Sequence, residues 1–216
     1  MLFAIDLDGT IAGKLLYSSY IEYHNRDLAL GIAPEVLASL PDYKSFVKLP
    51  EVQAFRRKQE ERFQASRESA RVSPNILLSI EALPDAIVGV HTLFGIGAVR
   101  YYTIRLNQEA TKQWLTLKQF PSPTDVVFCE GTVRKLYAAY AETHMEIVLI
   151  DDRLDTLLQG FEEITKNEPE MADNLRRRLT IVAFGIETVP EYFHGLRLLA
   201  LPSWKDVETL IASLYI

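Results

Sequence analysis

A chain of 216 residues, 48% of them hydrophobic, can bury a core large enough for one domain or for one domain carrying an insert, which excludes disorder as its organising state. Twenty-nine acidic against twenty-three basic residues leave a formal charge of −6, a field that disfavours long nucleic acid as a partner. The single cysteine, Cys129, rules out an internal disulfide and suits a reducing cytoplasm; no apolar run approaches the ~18 residues of a membrane span, and no basic leader precedes the first apolar stretch.

Leu2 to Ile5 is a short apolar run ended by Asp6-Leu7-Asp8-Gly9-Thr10, the pattern of a buried parallel strand that stops at a polar turn. From about Tyr17 to Ile80 the pattern turns helical and charge-dense. The 51–71 stretch reads as one long helix with Val52, Phe55, Phe63 and Ala70 near helical spacing. Arg56-Arg57-Lys58 here, and Arg176-Arg177-Arg178 later, are interleaved with acids and read as solvated helix faces.

Pro84 opens an apolar helix through Phe94, the Gly95-Ile96-Gly97 turn ends it, and Ala98 to Ile104 reads as a second strand. A helix over Gln108 to Gln119 is broken by Pro121 and Pro123. A strand over Asp125 to Cys129, a helix over Val133 to Glu142 and a strand over Glu146 to Ile150 ending at Asp151-Asp152 follow. A helix through Ile164, an additional polar helical stretch near 170–178 within 160–178, strands at Leu179 to Phe184 and Leu196 to Ala200, and an amphipathic helix over Trp204 to Leu214 complete the chain. Strands separated by helices of this length require right-handed crossovers, so the expected architecture is α/β: a Rossmann-like parallel sheet from 1–14 and 82–216, with a helical insert over 15–81.

Three polar groups fall at three strand ends: Asp6 with Asp8, then Thr103, then Asp151 with Asp152. In a parallel sheet such ends share one edge, where ligands bind and open backbone amides face the crevice. Adjacent carboxylates at a buried strand end repel each other, and a divalent cation would relieve that repulsion.

With the strand before it, Asp6-Leu7-Asp8-Gly9-Thr10 resembles the DxDGT motif of the haloacid dehalogenase superfamily. Thr103 is similar to the family's second motif, a hydroxyl that bonds the phosphoryl group, and Lys135, chosen over Lys112 and Lys118, to its third; Arg134 beside it could supply the charge instead. Asp151-Asp152 resembles the fourth motif, with Asp152 favoured as the direct ligand. The resemblance implies a Mg²⁺ site made by Asp6, Asp8 through its carbonyl, and Asp151 or Asp152. Asp6 would be the nucleophile, Asp8 the acid and base, and Leu7, Asp8, Thr103, Ile104 and Lys135 would hold the phosphoryl oxygens. A dehalogenase displaces halide and needs no proton donor. Asp8 therefore favours a phosphatase acting through an aspartyl phosphate, with a phosphomutase as the near variant.

The insert resembles the family's mobile cap and implies a small phosphorylated metabolite, a nucleotide or sugar phosphate, as substrate. Tyr17, Tyr20, Tyr23 and Arg26 at its start could face a base or sugar, with core packing the alternative. A catalytically silent ligand- or partner-binding domain is the rival reading, and the oligomeric state is not legible. Gly95-x-Gly97 is a turn and not a dinucleotide fingerprint, since Arg100 stands where a third glycine is needed; no GxSxG elbow or Walker loop is present. His24, His91, His144 and His194 lack zinc-ligand spacing.

Overall fold

The computed structural model describes residues 1–13, 17–40, 43–144 and 146–215, the side chains of Tyr17 and Ser18 excepted. In chain order the elements are β1 (Leu2–Asp6), α1 (Tyr17–Asp27), α2 (Pro34–Ala38), α3 (Tyr43–Val47), α4 (Pro50–Val72), α5 (Pro74–Ser79), α6 (Ala86–Phe94), β2 (Ala98–Thr103), α7 (Gln108–Leu117), β3 (Val126–Phe128), α8 (Arg134–Ala141), β4 (Ile147–Asp151), α9 (Leu154–Asn167), α10 (Pro169–Arg178), β5 (Leu179–Phe184), β6 (Tyr192–Phe193), β7 (Leu196–Leu201) and α11 (Val207–Leu214). Among the described residues no helix is long and apolar enough to cross a membrane.

The strands form one sheet in the order β3-β2-β1-β4-β5-β7-β6, parallel throughout except for β6 against β7. The α/β architecture expected from the alternation of strand and helix is the one observed. β1 and β4 are buried along their whole length, because helices cover both faces of a sheet joined by crossovers. β6 is absent from the sequence reading: two residues are too few to show a period. A two-residue loop makes it, with His194 at φ 49° and Gly195 at φ 79°, the left-handed pair that lets adjacent strands reverse tightly.

The chain divides into two compact units, one of Met1–Gly13, Ala82–Ile104 and Lys112–Ile216, the other of Lys14–Glu81 and Arg105–Thr111. The first contains the sheet. Its α6 lies close enough to the Trp204 indole that a Cβ on Gly89 would sit 2.4 Å from the ring, and the indole N–H donates to the Thr10 carbonyl at 2.7 Å. Gly160 of α9 meets Val133 equally closely, which fixes where α8 begins.

The second unit is helical, and 105–111 group with it: Asn107 Nδ2 donates to the Val72 carbonyl at 2.7 Å. The long helix is broken at Gln59 (φ −145°, ψ 53°), a kink that no proline or glycine announces. Ile21, Leu28, Phe46, Val52 and Phe63 form its core. His24 is fully buried among them, with Nδ1 3.1 Å from Ser66 Oγ and its ring stacked on Phe63 at 5.6 Å.

Candidate active site

Strand register brings the polar positions to one level. Asp6 is opposite Tyr102 on β2, and Thr103 is one residue beyond; Ile5 is opposite Ile150 on β4, and Asp151 is one residue beyond. These are carboxyl ends on both sides of β1, where chain order reverses between the two halves of the sheet, the place at which open α/β sheets form a crevice. Asp6, Thr103 and Asp151 are all buried, Asp8 and Asp152 half-buried.

Lys135 joins them from α8. Its Nζ donates to Asp6 Oδ1 at 2.5 Å and to Asp151 Oδ2 at 2.6 Å, with the lysine side chain 2% exposed. A lysine near the start of α8 reaches so deep because Gly131 turns the chain at φ 132° and Val133 is wedged against Gly160. Arg134, the neighbouring cation, instead lies over the Tyr137 ring at 4.9 Å. The second oxygen of Asp6 accepts from Thr10 Oγ1 at 3.4 Å, and the second oxygen of Asp151 accepts from the Arg153 amide at 2.8 Å.

These neighbours set the protonation. Burial pushes the Asp6 carboxyl up, Lys135 pulls it back, and Asp151 and Asp8 raise it again, to about 7. Burial alone would lower the Lys135 ammonium, but Asp6 and Asp151 outweigh it and hold the group above its usual value.

Asp152 completes the acidic group: one carboxylate oxygen from each of Asp6, Asp151 and Asp152 lies within 4.8 Å of the others. Its carboxylate lies against the backbone of Gly9, where a Cβ would stand 2.2 Å from Oδ2; at φ 96°, Gly9 is also in the region that side chains disfavour. The first and last polar groups of the sequence are thus in direct van der Waals contact. One ammonium stands against three carboxylates, and the donors are hard oxygens, so the set fits a divalent cation such as Mg²⁺. The Asp8 side chain lies outside this group; its bridge to Ala12 and the three amides bonded to the Leu7 carbonyl form a tight turn after β1.

Two parts of the site escape the sequence reading. Trp204, which holds the Thr10 carbonyl from 194 residues away, and the Arg153 amide, which orients Asp151, carry no motif. In the helical unit Tyr20 is core, its hydroxyl donating to the Arg67 carbonyl at 3.0 Å, whereas Tyr23 and Arg26 line a cavity of about 270 Å³. The Tyr17 side chain lies outside the described residues.

No protein-family model matches the chain, and no curated protein does. Solved structures do. The chain is similar to a candidate phosphatase from Clostridium difficile (TM-score 0.59, 11% identity, 97% of each chain covered) and to a candidate haloacid dehalogenase-like hydrolase from Burkholderia xenovorans LB400 (TM-score 0.55, 14% identity, 100% of this chain and 98% of that one). It is also similar to the 2-haloacid dehalogenase of Pseudomonas syringae pv. Tomato (TM-score 0.52, 13% identity, 99% and 98%). Likeness that runs end to end in both partners at so low an identity establishes shared architecture and nothing finer: this chain has the haloacid dehalogenase fold.

Proposed function

We propose that the protein is a Mg²⁺-dependent phosphatase acting on a small phosphomonoester, with Asp6 as nucleophile. The observation that carries the reading is the buried Lys135 ammonium shared by Asp6 and Asp151 at a sheet edge also occupied by Asp152. A purely structural ion pair needs one carboxylate; the additional acids leave negative charge that a buried site does not hold without a function.

Bound to oxygens of Asp6, the Asp8 carbonyl and Asp152, Mg²⁺ would supply charge neutralisation between the carboxylate and the incoming phosphate dianion. Asp152 is favoured over Asp151 because its carboxylate lies against the Gly9 backbone, directly after the Asp8 carbonyl. An Asp6 oxygen attacks phosphorus in line, the ester P–O bond breaks, and Asp8 delivers its proton to the leaving oxygen. Asp8 then takes a proton from water as that water attacks the aspartyl phosphate, releasing phosphate and restoring Asp6. Lys135, the Thr103 hydroxyl and the amides of Leu7, Asp8 and Ile104 hold the transferring oxygens. The helical unit is assigned substrate selection.

The solved neighbours include a candidate phosphatase and a dehalogenase, so fold does not choose between them; Asp8, a second acid two residues from the proposed nucleophile, supports the phosphatase reading. The test is release of phosphate from p-nitrophenyl phosphate with and without Mg²⁺. The expected result is turnover that EDTA abolishes and that Asp6→Asn lowers at least ~10³-fold. Equal rates for Asp6→Asn and the parent, or no turnover of any phosphorylated metabolite with Mg²⁺ present, would refute it.

A further inference from the structure

The helical unit contains a cleft of about 350 Å³ between α3 and α4, within the range of small-ligand sites. Its floor is apolar. Tyr43, Val47 and Phe63 line it; the Tyr43 ring is held by Tyr20 at 5.1 Å and Phe46 at 5.8 Å, and its hydroxyl stands 3.5 Å from His24 Nε2.

Its rim is cationic. Lys44, Lys48 and Arg67 are exposed and, among the described residues, form no ion pair; Arg56 is held by Glu60 at 2.9 Å. Among the described residues no carboxylate lines the cleft. This is unusual in a chain of net charge −6, and the bias is regional: the helical unit has eleven basic against ten acidic residues, the remainder twelve against nineteen. A solvated helix face explains scattered lysines. It does not explain three cations on a concave apolar floor where the neighbouring acid, Glu60, is taken up by Arg56 and Gln64, an arrangement in which like charges repel until an anion enters.

We propose that this cleft binds a small organic anion with a planar apolar body, of the nucleoside monophosphate class, its base over Tyr43 and Val47 and its phosphate among Lys44, Lys48 and Arg67. The floor discriminates against a bare sugar phosphate, which would leave it wet, and the rim against an uncharged nucleoside, which would leave the cations unneutralised. The site belongs to the helical unit alone and does not depend on the phosphoryl chemistry.

Calorimetric titration of full-length Asp6→Asn protein with AMP in EDTA tests it without turnover. AMP should bind, with adenosine and ribose 5-phosphate each at least tenfold weaker; the triple change Lys44→Gln, Lys48→Gln, Arg67→Gln should weaken AMP at least tenfold. The Arg67 carbonyl stays bonded to Tyr20, so the triple variant should keep the parent's thermal midpoint, and the single change Lys48→Glu, expected to weaken AMP at least threefold, serves if it does not. No binding of AMP, equal binding of ribose 5-phosphate, or undiminished binding by a folded cation variant overturns the assignment. Phosphate release from p-nitrophenyl phosphate by the unmutated chain is read in parallel and decides the phosphatase reading by itself: AMP bound through these cations in a chain that releases no phosphate from any phosphomonoester leaves this assignment standing.

Discussion

Lys135 is the residue on which the sheet edge balances. Removing one member of a buried ion cluster leaves the others uncompensated, a loss of about 3–5 kcal/mol. Lys135→Met, which keeps the length of the side chain and removes its charge, is therefore expected to lose about that much stability in urea titration and to recover part of it when Mg²⁺ is added. A midpoint unchanged from the parent would show that Asp6 and Asp151 do not depend on the ammonium. Gly9→Ala would drive a methyl group into the Asp152 carboxylate from a disfavoured backbone conformation. Its expected outcome is a destabilisation of about 1–3 kcal/mol together with weaker Mg²⁺ dependence, measured as the metal concentration for half-maximal phosphate release. Asp8→Asn should slow release of alkyl phosphates far more than of p-nitrophenyl phosphate, whose leaving group needs no proton; equal losses would remove Asp8 from the acid role.

The elements of the helical unit pack around a histidine that burial holds neutral. Its imidazole is lowered to about 4, chiefly by desolvation, with Asp27 opposing and Arg67 adding to the effect. Between about pH 6.5 and 4 the unfolded chain takes up a proton at His24 that the folded chain refuses, so stability is intact above pH 6.5 and declines as the pH falls towards 4, by at most ~3 kcal/mol. Urea midpoints at pH 7 and 4.5 should diverge accordingly, and His24→Phe should flatten that segment of the profile; identical slopes would place the acid sensitivity elsewhere.

Helix ends account for two arginines, one of them in the Arg176–Arg178 cluster. Arg178 donates to the Ala139 and Glu142 carbonyls at the end of α8, and Arg197 to the Ser213 carbonyl near the end of α11, so both neutralise helix C-termini gathered at the sheet edge opposite the site. Among the described residues only Arg176 of the triplet pairs with an interleaved acid, Asp173 at 2.6 Å, so the charge pattern in the sequence named the helix but not the arginines' partners.

At the scale of the molecule, a net charge of −6 repels polyanions, so the proposed phosphatase is expected to prefer small substrates. A 5′-phosphorylated oligonucleotide of ~20 residues is expected to be dephosphorylated at least tenfold more slowly than a mononucleotide at low ionic strength, because each added phosphate meets the same repelling field. Comparable rates would point to a basic track that composition conceals.

Order along the chain was enough for the α/β class, for six of the seven strands near their observed bounds and for the polar residues at three strand ends, because burial of a strand and the turn that ends it are written in neighbouring residues. β6, the break at Gln59 and the grouping of 105–111 with the helices were not legible: each depends on φ, ψ or on partners far along the chain. Sequence could nominate Lys135, yet only the tertiary structure put its ammonium between Asp6 and Asp151 and set Asp152 against Gly9. Side-chain convergence depends on strand register and helix packing summed over the whole sheet, and no local stretch of residues encodes that sum.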